Sequence, residues 1–109
     1  MSFIYKNATF SNCRTYRYSL SRIWDKKKKF VLFIGLNPST ADEEVDDPTI
    51  RRCVNYVKNW GYGGVLMVNL FAYRTTLPSC LKKVKYPVGK GNDKYIVTLS
   101  KKADITVAA

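Results

Sequence analysis

Phe30-Val31-Leu32-Phe33-Ile34-Gly35-Leu36-Asn37-Pro38-Ser39-Thr40-Ala41-Asp42 is an apolar run that stops abruptly in a polar, proline-containing loop. Phe30 to Leu36 is rich in β-branched and aromatic residues and has no polar alternation, the pattern of a strand covered on both faces. It reads as a central strand of a parallel sheet. Asn37-Pro38 ends it, because proline has no N–H for the ladder and disfavours helix in the residue before it. A polar loop thus begins at the strand's carboxyl end, where open α/β sheets place their ligands.

The segment after this loop is the best specified helix. Asp47 suits the N-cap, Pro48 the first helical position and Gly61 the left-handed close. Ile50, Cys53, Val54, Val57 and Trp60 fall at helical spacing and are expected to face the sheet. Val65 to Val68 is a second short apolar strand ending in Asn69, so strand, helix and strand form a right-handed βαβ unit. Further on, Pro78 to Val84 reads as a short helix, Asn92 as the cap of a helix to about Lys102, and Asp104 to Ala109 as a third parallel strand. Before the central strand, a short edge strand is expected around Phe3 to Tyr5. Arg14 to Trp24 alternates as an antiparallel strand, with Tyr16, Tyr18 and Leu20 on one face and Arg17, Ser19 and Ser21 on the other. Its second half slips out of register. Asp25 and the quartet Lys26 to Lys29 read as a solvated hairpin tip leading into the central strand.

The fold class is therefore α/β, a three-layer sandwich with a short, mostly parallel central sheet and an antiparallel N-terminal strand. Residues 1–109 form a single α/β domain, with 1–29 an N-terminal strand region and 30–109 the βαβ core. A buried strand at the end of the chain suggests a C-terminally shortened version of a longer architecture, with a protein partner or a second copy completing the sheet beside Ile105 and Val107.

Composition, 46% apolar and 25% charged, is that of a globular protein. No apolar run approaches the roughly 20 residues of a membrane helix, and the polar N-terminus lacks the core of a signal peptide. A cytoplasmic protein without membrane contact is expected. Cys13, Cys53 and Cys80 are odd in number and far apart, and with no histidine in the chain neither a disulfide framework nor a zinc site is indicated. The same absence removes a Ser-His-Asp triad and a Cys-His pair. No glycine-rich dinucleotide or P-loop motif follows any strand, so no cofactor is expected.

Net charge is +11, and it is unevenly spread. Asp42, Glu43, Glu44, Asp46 and Asp47 cluster just after the key strand, which leaves nineteen Lys and Arg against three other acids. Such a field favours DNA or a nucleotide as partner. A lysine-rich solubilising surface explains it equally well. The acidic cluster has hard oxygen donors suited to magnesium or calcium but lacks the glycine-punctuated alternation of a calcium loop, so no metal is assigned. Asp42 and Asp46 are instead expected to organise the loop by pairing with Arg51, Arg52 or Arg74.

Four separated motifs, Leu36 to Asp42, Asp46 to Arg52, Trp60 to Gly64 and Val68 to Arg74, resemble the signature of a bacterial and phage family of unknown function over about residues 14–109. The ending Ile34-Gly35-Leu36-Asn37-Pro38-Ser39 also resembles the Gly-Ile-Asn-Pro-Gly motif of mismatch-specific uracil- and thymine-DNA glycosylases. That second resemblance implies a uracil-DNA-glycosylase-like fold and an N-glycosidic bond hydrolase, with Asn37 positioning the attacking water. It also places Gly35, Pro38, Ser39 and Thr40 beside the base, and Asn69, Phe71, Tyr73 and Arg74 in the second pocket segment. Such chemistry needs an aligned water, donors for the leaving base and a stacking surface. Asn37 supplies a carbonyl oxygen and an amide, Phe71 or Tyr73 a ring, and Arg74 a phosphate contact. For Asn37 the competing role is an Asx-turn before proline, and for Phe71 and Tyr73 it is core packing. The alternative to catalysis is a non-catalytic nucleic-acid, nucleotide or protein-binding module derived from the same fold.

Overall fold

Strict period-two alternation in an all-apolar strand sends successive side chains to opposite faces of a sheet, and both faces must then be covered. The computed structural model describes residues 3–108; Met1, Ser2 and Ala109, which the expected N-terminal region and last strand include, lie outside the described residues. In chain order the elements are β1 (Tyr5–Phe10), β2 (Arg17–Ile23), β3 (Phe30–Gly35), α1 (Pro48–Asn59), β4 (Gly64–Asn69), a 3-10 turn (Pro78–Lys83), α2 (Asn92–Lys102) and β5 (Ile105–Ala108). They form a five-stranded mixed sheet in the order β1-β2-β4-β3-β5. β3 runs parallel to both β4 and β5, while β2 is antiparallel to β4 and β1 to β2.

Val31 and Phe33 of β3, with Val65 and Met67 of β4, join Ile50, Cys53, Val54 and Val57 of α1 in one core cluster. Leu32, Leu66 and Val68 point to the other face and meet Ile96 and Leu99 of α2. The two helices thus cover opposite faces, and the structure is α/β with the sheet between them. No helix is long and apolar enough to cross a membrane among the described residues.

α1 starts and stops as its sequence dictates. Asp47 Oδ1 accepts from the Ile50 N–H at 2.9 Å, Pro48 occupies the first turn, and Gly61 takes φ +85°, a conformation only glycine adopts without strain. Trp60, expected inward, is half-exposed. It follows the last helical residue, and its ring stacks on Tyr56 and Phe33 at the rim of the core instead of entering it.

Other expectations are corrected at the N-terminal half. The edge strand is Tyr5–Phe10, later and longer than Phe3 to Tyr5. The lysine turn is not a hairpin tip, because β4 lies between β2 and β3 and pairs with both. In β2 the register shifts opposite Thr9 and Phe10, a bulge that inserts one residue and reverses the alternation. Leu20 therefore faces α1 while Tyr18 faces α2, stacked on Tyr95. Arg17, expected outward, is buried on the α1 side.

The acidic loop between β3 and α1 is held by Arg22, which has no exposed surface. Its Nε donates to Asp46 Oδ1 at 2.6 Å, and the rest of its guanidinium to the carbonyls of Ser21, Asp42 and Val45. Asp46 thus pairs with Arg22 and not with Arg51, Arg52 or Arg74. Arg51 reaches only the Asp46 carbonyl, Arg52 is exposed, and Glu43 pairs with Arg14 at 2.8 Å. Asp42 turns back on its own loop, where the backbone N–H groups of Val45 and Glu44 hold its carboxyl below the usual range. Removing the anionic partner leaves a buried charge short of one bond. Asp46→Ala is therefore expected to lower unfolding stability by about 3 kcal/mol, measured by urea denaturation, whereas Arg52→Ala leaves it within about 0.5 kcal/mol.

Candidate functional site at the ends of β3 and β4

β4 lies on one side of β3 and β5 on the other, and their connecting helices lie on opposite faces. The loops that leave the carboxyl ends of β3 and β4 are therefore sent to opposite faces of the sheet, and a crevice opens beside them, at the strand ends where open α/β sheets place their ligands. Gly35 pairs with Asn69 in the last register position, so the two strands stop level with each other.

The following loops are joined by backbone. The N–H groups of Leu70, Phe71 and Thr75 donate to the carbonyls of Gly35, Leu36 and Pro38 at 2.9–3.0 Å. Asn37 adds a side-chain clamp, its Nδ2 donating to Thr75 at 2.9 Å and to its own neighbour Pro38 at 3.1 Å. The Asn37 amide nitrogen is thus spent on holding the two loops together, and no hydrogen bond to its Oδ1 occurs among the described residues. Arg74 Nε reaches the Ser39 carbonyl at 3.3 Å.

On the α1 side these elements enclose a crevice of about 260 Å³. Its floor includes Met67, Ile50 and Cys53. Gly35, Asn37, Pro38 and Ser39 form one wall, and Asp47 and Thr49 at the start of α1 form another. Arg17 and Asn69 complete the lining, each only 3% exposed. Arg17 Nη1 donates to the Ala41 carbonyl at 2.9 Å, but among the described residues its Nε has no partner, and neither has Nδ2 of Asn69. Buried donors without acceptors are uncommon and cost free energy. Burial lowers the Arg17 pKa to about 10, against the pull of Asp47, so the group remains a cation at neutral pH.

Gly35 keeps the crevice open at its strand end. A Cβ there would lie 2.8 Å from Asn69 Oδ1, so any larger residue displaces the Asn69 amide. Both oxygens of Asp47 are engaged, Oδ1 on the helix start and Oδ2 accepting from Ala41 N–H at 3.3 Å.

Ser39 and Thr40, with Tyr73 and Arg74, line an adjoining open depression that also includes Arg14. Phe71 lines neither space; it is half-buried and contributes its backbone N–H to the loop junction. Asp42, Asp46, Arg51 and Arg52 stand outside both spaces. Three buried polar residues escaped the sequence reading, among them Arg22, which anchors the acidic loop. Arg17 sits at the bulge, where the alternation of Tyr16, Tyr18 and Leu20 carries no sign of a slip. Asn92 is not the cap of α2, since Gly91 holds that place; its Nδ2 instead donates to the carbonyls of Asn69 and Leu70, anchoring α2 to the end of β4.

The double clamp predicts a specific phenotype. Asn37→Ala removes two hydrogen bonds and is expected to cost about 1–2 kcal/mol, with faster amide exchange at Thr75 and Phe71 and unchanged exchange in α2.

No curated protein and no solved structure matches the chain. The model of a family described as a protein of unknown function, DUF1643, matches residues 17–109. This span holds β2, the crevice and both helices, and the chain belongs to that family.

Proposed function

We propose that the crevice at the carboxyl ends of β3 and β4 binds a nucleobase, with a carbonyl-bearing pyrimidine such as uracil or thymine as the preferred class. The observation that carries this reading is the pair of partnerless buried donors, Arg17 Nε and Asn69 Nδ2, in one lining. Two donors beside an apolar floor suit a flat ligand that offers carbonyl oxygens at its edge and an apolar face to Met67 and Ile50. Polar groups left unpaired in the empty site are the basis of discrimination, since a ligand lacking the acceptors leaves them unpaired. Among the described residues, four of the five acids in the loop are engaged within the protein, Glu44 being the exception, which reduces their repulsion of a base carried on DNA. Asp46 and Glu43 are ion-paired, Asp42 is bonded within its loop and Asp47 caps α1.

A second reading is hydrolysis of the N-glycosidic bond, in the manner implied by the glycosylase resemblance. It is favoured by Asn37, which lines the crevice and whose Oδ1 accepts no hydrogen bond among the described residues, leaving a carbonyl oxygen free to orient water.

Binding is tested by titrating uridine, thymidine, cytidine and adenosine against the protein and recording amide shifts. Uridine and thymidine are expected to perturb Gly35, Asn69 and Thr49. Asn69→Leu removes a partnerless polar group of similar size, so stability holds or rises while affinity falls by about tenfold. Equal affinity in Asn69→Leu contradicts the pocket. Hydrolysis is tested by incubating wild type and Asn37→Ala with duplexes bearing uracil or mismatched thymine and scoring abasic sites. Product from wild type alone supports turnover. Background-level product from both removes turnover and leaves binding to stand on the titrations.

A further inference from the structure

On the opposite face of the sheet, α2 covers β3 and β4 and meets β2 through Tyr95 on Tyr18, but leaves β1 and the rest of β2 open. The result is a groove of about 820 Å³ between those strands and the helix. Tyr5, Tyr18 and Tyr95 line it with Lys90, Lys94 and Lys102. It continues, through the shared residues Tyr18 and Lys90, into a second depression of about 660 Å³ that holds Tyr16, Tyr86 and Lys85. Neither lining contains an acidic side chain. None of the four lysines belongs to an ion pair among the described residues.

The aromatic rings are ordered along this path. Tyr95 stacks on Tyr18 at 5.0 Å and 8°, and Tyr18 on Tyr16 at 6.4 Å and 10°. This stack forms the wall, while Tyr5 (43% exposed) and Tyr86 (67%) offer open rings in the two depressions. A groove of uncompensated cations with flat rings at intervals is the combination that tracks a phosphate backbone while its bases stack. We propose that this groove binds single-stranded nucleic acid, independently of the nucleobase crevice on the α1 side of the sheet. The charge is complementary to a polyanion, and stacking on Tyr5 and Tyr86 requires bases that are not already paired. A duplex presents its bases stacked and hydrogen-bonded, and an acidic peptide gains little from the rings.

The site chemistry is independent of sequence, so a short fluorescein-labelled oligothymidylate is the probe, with anisotropy as readout across a salt series. Four lysine contacts on a single strand give a slope of log affinity against log salt of about −3. The exposed-surface triple variant Lys90→Glu, Lys94→Glu, Lys102→Glu is expected to bring that slope to about −1 or weaker and to lower affinity at least a hundredfold. Tyr5→Ala and Tyr86→Ala, both at exposed rings, each weaken binding roughly tenfold with the salt slope unchanged.

Footprinting adds a readout that does not depend on affinity variants. Hydrogen bonds with Thr15 and Ser11 lower the exposed Cys13 thiol to about 7, so it alkylates at neutral pH, and Cys13 lines the second depression. In a Cys80→Ser background, saturating oligothymidylate is expected to protect Cys13 from maleimide. Unchanged binding in the lysine triple variant overturns the proposal, as does no protection of Cys13, or tighter binding of a duplex or of polyglutamate than of the oligonucleotide. Asn69→Leu, which empties the crevice of one donor, is expected to leave oligonucleotide binding intact, so failure of either site is distinguishable from failure of the other.

Discussion

The parallel pairing of β3 with β4, in register from Phe30 opposite Gly64 to Gly35 opposite Asn69, is the constraint on which the remaining geometry depends. Parallel strands need a crossover, and right-handed crossovers in opposite directions put α1 and α2 on opposite faces. Both faces of β3 and β4 are then buried, which is why their sequences are apolar without interruption. Because the strands end level, their loops leave at the same height and bond to each other. A slip of one residue would send Val31 and Leu32 to the wrong layers and separate Gly35 from Asn69.

The α1 layer pays for this arrangement with buried polarity. Arg22 and Arg17 enter the sheet face from β2, and both take carbonyls of the loop that follows β3. Every nitrogen of Arg22 has a partner, through Asp46 and three carbonyls, so its cost is largely offset where it sits. Arg17 is only partly satisfied. The difference separates a structural arginine from one whose remaining donor stays available, although the two lie on one strand and share one loop. A domain needing only stability would favour an apolar side chain at position 17, since burying an incompletely bonded guanidinium is a net cost.

Much of this was legible in the residues. The extent of β3, the cap and stripe of α1, the end of β4 at Asn69 and the convergence of both loops follow from local rules of alternation, capping and handedness. What could not be read depends on partners far away in sequence. Arg22 lies among Ser21, Ile23 and Trp24 and looks like a solvent-facing strand residue; only the position of Asp46, brought close by the fold, makes it a core residue. The β2 bulge is defined by its pairing with β1, and the strand's own alternation of Tyr16, Tyr18 and Leu20 runs through that point without a break. Asn92 has the residue type and place of a helix cap, yet Gly91 with φ +82° takes that role, freeing the amide for a tertiary bond. Asn37 was the hardest, because a residue before proline at a strand end serves equally as a turn former, a clamp or a ligand contact.

Asn69 and Asn92 give the molecule a connection between its two faces. Asn69 turns its side chain to the crevice on the α1 side, while its carbonyl accepts from Asn92 Nδ2 at 2.8 Å, a bond buried from solvent. Asn92 begins α2, and the flanking Lys90, Lys94 and Tyr95 belong to the groove on the other face. Moving the start of α2 therefore requires either breaking buried hydrogen bonds to Asn69 and Leu70, each worth about 1 kcal/mol and more if left unsatisfied, or carrying the end of β4 along. β4 is held on both sides by β2 and β3 and cannot follow. The start of α2 is thus fixed relative to the crevice by the most constrained strand in the sheet, and the groove and the crevice keep their separation whatever occupies either one.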